Sequence, residues 1–191
     1  MKRLALAIMG LAALSQLLMF GCGNRLLTVN VDVLSFMDST VVRQTYGVSP
    51  IIPAHGPLPV IFESEPQDVN LTEGLADITD IQSVALHVGS EFANQTGTAV
   101  VDLEVFISDT ETDPYTTPPY VQEEIHLEPA TTDTVNVNVV GDERLGNLLL
   151  GEAIRVGIRT TFDSSQSTAN VTGVENLVRF TATVMAKRHM P

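Results

Sequence analysis

One cysteine, no tryptophan and only 5 % aromatic residues bound this chain before any pattern in it is read. A lone cysteine excludes an internal disulfide framework, so stability must come from an apolar core. Hydrophobic residues make up 44 % of the 191 positions, enough chain and enough apolar surface to build one. Cations are scarce: 10 Lys and Arg stand against 23 Asp and Glu. The formal charge of −13 repels nucleic acid, so no nucleic-acid partner is expected. Missing motifs exclude further classes. There is no G-x-S-x-G nucleophile elbow, no Gly-rich phosphate loop and no histidine pair at ligand spacing. Neither an enzyme nor a cofactor is expected.

What is present begins at the N terminus. Lys2 and Arg3 precede an apolar run from Leu4 to Phe20, interrupted only by Gly10, Ser15 and Gln16. A charged start, an apolar stretch and a small residue at a cut site have the layout of a secretory signal peptide. The run is short for a membrane span, which needs about 20 apolar residues, and Gly23, Asn24 and Arg25 end it. Within it, Met19-Phe20-Gly21-Cys22 resembles the lipobox of bacterial lipoproteins.

That resemblance implies that Cys22 carries a diacylglyceryl group and becomes the first residue of the mature protein. The implied partner of Cys22 is the lipid bilayer. One acyl chain holds a protein only marginally, whereas the family's triacylated cysteine exceeds what stable anchoring requires. By the same resemblance, Gly23 after the cysteine, rather than aspartate, favours the outer membrane in an organism that has one. The expected organisation is a leader over 1–21, a lipidated tether over 22–26 and a single domain over 27–191. Lys2 and Arg3 fall in the leader, leaving eight basic against 23 acidic residues, a charge of −15 on the mature chain.

Past the tether, the pattern is one of alternation. Val29, Val31 and Val33 alternate with Asn30 and Asp32, as a half-buried strand requires. Residues 44–67 hold Pro50, Pro53, Pro57, Pro59 and Pro66 amid apolar side chains, which predicts an irregular crossover over one end of the core. Asp68 to Leu71 reads as a short strand. Alternation from Ile81 through Val88 and again from Val101 through Ile107, joined by Asn94-Gln95-Thr96-Gly97, reads as a hairpin. Further strands are expected over Val121–Leu127, around Val135, Val137 and Val139, over Ala153–Phe162, and over Leu177–Lys187 with Val178, Phe180, Ala182 and Val184 inward. A short helix is expected near 142–150, with Asp142 as N-cap and Gly151 beyond its end. The fold class is all-β: an antiparallel β-sandwich of about seven or eight strands. Its general image is immunoglobulin-like, without the Cys and Trp signature of true immunoglobulin domains.

Few residues invite chemistry. Asp109, Glu111 and Asp113 alternate like the start of a calcium loop, but Pro114 and Tyr120 occupy the positions where an EF-hand needs Gly and Glu, leaving a weak calcium candidate. His87 and His126 both point outward by alternation, and Arg155, Arg159 and Arg179 are placed to pair with Asp102 and Glu104. Ile51, Ile52 and Leu58 form the candidate binding surface. The expected function is a non-catalytic, tethered scaffold that binds an envelope protein partner. The alternative is a carrier of an apolar ligand such as a lipid, which needs an apolar cavity of roughly 300 Å³ or more.

Overall fold

Strands with one apolar and one polar face become stable when two sheets cover each other's apolar sides. The computed structural model describes residues 25–49, 59–70, 78–151, 153–163 and 169–188. Ten strands appear there: β1 (Arg25–Asp32), β2 (Arg43–Val48), β3 (Val60–Glu63), β4 (Gln67–Asn70), β5 (Ile78–Thr96), β6 (Ala99–Ser108), β7 (Val121–Leu127), β8 (Thr131–Val140), β9 (Ala153–Asp163) and β10 (Val171–Arg188). They form two antiparallel five-stranded sheets. Sheet A runs β1–β10–β5–β8 with β2 also on β10, and sheet B runs β3–β9–β6–β7 with β4 also on β9. The fold is the expected all-β sandwich, with ten strands rather than seven or eight.

The core is the meeting of the two inner faces. From sheet A come Val84, Leu86, Val88, Phe92, Phe180 and Val184; from sheet B come Leu103, Val105, Ile154, Val156 and Phe162, all buried. The spine is the pair β5 and β10, of 19 and 18 residues, roughly 60 Å of strand. β1 and β2 occupy successive stretches of β10, from Arg25 opposite Arg188 to Val48 opposite Val171. Between them lie a 3₁₀ turn (Val33–Phe36) and the single-turn helix α1 (Ser39–Val42), whose N-cap Asp38 accepts from the Thr40 N–H at 2.8 Å. That single-turn helix was not expected; the one helix expected, near 142–150, is present as α2 (Glu143–Leu149), with Asp142 accepting from the Leu145 N–H at 2.9 Å. Among the described residues no helix is long and apolar enough to cross a membrane.

The outer face of sheet B carries its own small cluster. A 3₁₀ turn at Pro114–Thr116 lays Tyr115 across that face, edge-on to Phe106 at 5.3 Å. The Tyr115 hydroxyl donates to the Ser64 carbonyl at 2.7 Å, with the Ile158 carbonyl 3.1 Å away. The Arg159 guanidinium lies 4.8 Å from the Phe106 ring and 5.1 Å from that of Tyr115. Gly157 leaves the room for this ring: a Cβ there would come within 2.8 Å of it.

Three expectations need correction. β5 and β6 are not a hairpin, because β5 pairs with β10 and β8 while β6 pairs with β7 and β9. The turn at Gly97, whose φ of 70° suits glycine, instead carries the chain from sheet A to sheet B. The segment 44–67 is not irregular throughout, since most of β2, all of β3 and the first residue of β4 fall inside it; these are short edge strands without proline, and Pro59 and Pro66 lie between them. It does cross from sheet A to sheet B. Val178 points outward, 44 % exposed, because a bulge between Leu177 and Arg179 displaces it.

Two strand glycines offer a test of the packing. Gly157→Ala drives a Cβ into Tyr115 and is expected to lower stability by about 1–3 kcal/mol. Gly47→Ala meets nothing within 4 Å and should change stability by less than about 0.5 kcal/mol. Urea midpoints of the two variants measure the difference, and equal midpoints would contradict the placement of Tyr115.

Candidate functional site

A carboxyl group lies between the sheets. Glu175 on β10 is 6 % exposed, on the same inward face as Val171, Gly173 and Leu177. Ser90 of β5 donates to its Oε1 at 3.2 Å, and Thr160 of β9 donates to its Oε2 at 2.7 Å. Ser90 belongs to sheet A and Thr160 to sheet B, so one side chain ties the two layers. Burial pushes the Glu175 carboxyl above the usual carboxylate range, while the two hydroxyl donors pull it back in part.

Tyr46 of β2 stands beside it. Its ring meets Phe162 at 4.9 Å and Phe92 at 6.5 Å. Its hydroxyl is buried and makes no hydrogen bond to the described residues. Burial first, and then the charges of Glu175 and Asp133, raise this phenol to about 12. Gly173, opposite Tyr46 in register, is required by contact: a Cβ there would sit 2.3 Å from the hydroxyl oxygen. The cluster holds one carboxyl, two hydroxyls and a phenol, with no imidazole or thiol within it, and it is closed to solvent. It can bind or release a proton, but it offers no exposed nucleophile to a substrate.

An open cleft of about 340 Å³ lies elsewhere, where α2 meets the start of β5. Asp80, Gln82, Ser83, Asp142, Glu143 and Asn147 make its lining largely polar. Two of its three carboxylates already have partners: Asp80 bonds Lys187 at 3.1 Å, and Asp142 caps α2.

The residues singled out in the sequence fall in several places. Asp109 accepts from the Glu111 N–H at 3.0 Å and Asp113 from the Tyr115 N–H at 3.1 Å, so both carboxylates close turns. Together with Glu111 they do not converge: among the described residues no three His, Cys, Asp or Glu side chains are grouped as metal ligands. His87 lies in sheet A, hydrogen-bonded to Asn138, and His126 lies in sheet B beside Glu124, so the two do not meet. Arg159 pairs with Glu104 at 3.5 Å as expected, and more closely with Glu63 at 2.8 Å. Arg155 pairs with Asp68 instead, at 2.7 Å. Arg179 sits in sheet A, across the sandwich from Asp102. Cys22, Ile51, Ile52 and Leu58 lie outside the described residues. Glu175, Tyr46, Ser90 and Thr160 were missed, although Val171-x-Gly173-x-Glu175-x-Leu177 does place an acid at an apolar-face position.

No known protein family matches the chain, and no curated protein matches it. Solved structures share a distant likeness. A chain of infectious bursal disease virus, Gt strain, has a TM-score of 0.41 at 11 % identity, over 85 % of this chain and 32 % of that one. A chain of the Gx strain gives 0.34 at 11 %, over 86 % and 38 %. The VP2 subviral particle of the same virus gives 0.34 at 10 %, over 87 % and 38 %. This chain therefore spans about a third of the length of the viral chains it resembles. Likeness at this level assigns neither family nor function.

The buried carboxyl makes stability depend on pH in a definite direction. A carboxyl raised above its unfolded value of 4.5 holds its proton more tightly when folded. Its contribution is complete below that value and is lost as pH rises toward the native one. Glu175→Gln keeps the shape and never ionises. The variant should match the native protein near pH 4 and exceed it above, the gap widening by at most about 1.4 kcal/mol per pH unit. Urea unfolding of both proteins across that range reads the difference directly; a gap that closes with rising pH would refute the assignment.

Proposed function

We propose that this chain is a lipid-anchored envelope protein whose mature part is a non-catalytic β-sandwich that binds or scaffolds a protein partner. The observation that supports it most is the distance from anchor to fold. β1 begins at Arg25, three residues after Cys22, a span of at most about 11 Å. An acylated Cys22 would hold the β1 end of sheet A close to the bilayer, with no stalk. The lipobox resemblance supplies the anchor, and Gly23 favours the outer membrane.

The interior favours scaffold over carrier. Phe92, Phe162, Phe180, Leu86, Leu103 and Ile154 are each under 2 % exposed and fill the space between the sheets. The described cleft of carrier size is polar and lies at the surface by α2, where an apolar ligand would find few apolar walls. Partner contact is assigned to Ile51, Ile52 and Leu58, which follow β2. That strand ends beside Val171, at the opposite end of β10 from Arg188 and the tether.

Cys22→Ser is expected to move the protein from a salt-washed membrane fraction to the soluble fraction. A variant that stays membrane-bound would sink the anchor reading. For the partner surface, serine at Ile51, Ile52 and Leu58 together should abolish partner capture and leave the urea midpoint unchanged. A lowered midpoint would mean that these side chains cap the core instead.

A further inference from the structure

Among the described residues four sheet edges are left uncovered, and three carry the devices that keep edges from pairing. The β1–β2 edge is broken between Asp32 and Arg43 by the 3₁₀ turn and α1. The β3–β4 edge consists of two four-residue strands with Pro66 between them. β7 carries Glu123, Glu124 and His126 along its seven residues. β8 has none of these protections. It runs ten residues as Thr-Thr-Asp-Thr-Val-Asn-Val-Asn-Val-Val, without proline and with Asp133 as its sole charge. Its register on β5 is unbroken from Thr131 to Val140, and among the described residues nothing pairs with its outer side.

We propose that this edge is a homodimer interface, in which β8 of two copies pair antiparallel about a two-fold axis and join two sheets A into one of ten strands. The occupant is a second copy because β8 paired antiparallel with itself sets valine against valine and no charge against a like charge. A chain with a mature charge of −15 repels its own copies over most of its surface, and contact is easiest where local charge is lowest. The same strand of another copy meets that condition, whereas the acidic β7 does not. Pairing must also keep inward residues opposite inward ones, which fixes the parity of the register.

With Asn136 on the axis, residues 132–140 of each copy pair. Val135 then meets Val137 of the second copy, and Asp133 meets Val139. The two Asp133 residues stand about 20 Å apart along the strands, beyond the screening length of about 8 Å. Val135, Val137 and Val139 are half-buried at the free edge, and Val140 is 81 % exposed; pairing covers them. The axis passes through the sheet, so the two Arg25 ends point in opposite directions. Copies anchored in one bilayer would therefore lie with their strands along it.

The test uses the processed protein purified from whichever cell fraction holds it, so that it stands or falls apart from the anchor reading. One strand pair is a small interface, so sedimentation velocity should show a monomer–dimer equilibrium at roughly tens to hundreds of micromolar. Asn136 points outward, and Asn136→Lys should leave the urea midpoint intact while weakening dimerisation about tenfold, because like charges meet on the axis. Asn136→Glu should do the same, and an equimolar mixture of the two variants should restore the dimer. A monomer throughout that range would overturn the proposal. So would an unaffected dimer in either variant, or open-ended aggregates in place of a closed pair.

Discussion

The pairing of β5 with β10 is the constraint on which the rest of the structure depends. Every strand of sheet A is held to this pair: β1 and β2 to β10, and β8 to β5. One irregularity within it decides the interior. The extra residue at Val178 switches the inward parity of β10, from Val171, Gly173, Glu175 and Leu177 before it to Phe180, Ala182, Val184 and Ala186 after it. Without the bulge, one of these two sets would face water. Strict alternation could not anticipate this, because a bulge is a local extra residue rather than a change in composition.

The same bulge delivers Glu175 to the interior, where an ionised carboxylate is unfavourable. Apolar contact between two sheets is non-directional and permits many ways for one to slide over the other. Hydrogen bonds from Ser90 in one sheet and Thr160 in the other are directional, and they are satisfied only when the layers sit in one relation. Tyr46 adds to the strain of this arrangement, since its buried hydroxyl finds no partner among the described residues. The cluster is better understood as a device that fixes how the sheets face each other than as a source of net stability.

Much of the architecture was legible because single strands write themselves in the sequence. β7 falls on Val121–Leu127, and α2 follows its N-cap Asp142. Strand pairing was not legible to the same degree. Asn94 to Gly97 has turn chemistry whether it closes a hairpin or arches between sheets, and only the non-local partners of β5 and β6 distinguish the two. The pairings expected of Arg155 and Arg179 failed for the same reason. Arg155 finds Asp68 because β4 docks on β9, a contact between residues 87 apart that no local pattern encodes. Carboxylates in the 109–113 loop looked like ligands by spacing alone, but Asp109 and Asp113 accept from nearby backbone N–H groups. That is the commoner use of an Asp in a turn.

Net charge and edge design are two answers to one problem. A sandwich exposes unpaired backbone along its borders, and a strongly acidic surface keeps copies apart at long range without protecting any particular edge. Close protection has to be local, which is why the other edges are interrupted, shortened or charged. At β8 neither safeguard acts at short range: the strand is long, regular and nearly uncharged. Between copies of an acidic protein, such an edge meets least repulsion where the other copy is also locally neutral and extended. Long-range repulsion thus narrows the choice of partner, and antiparallel symmetry limits the assembly to two, because a pair joined through the same strand has no equivalent edge left to offer.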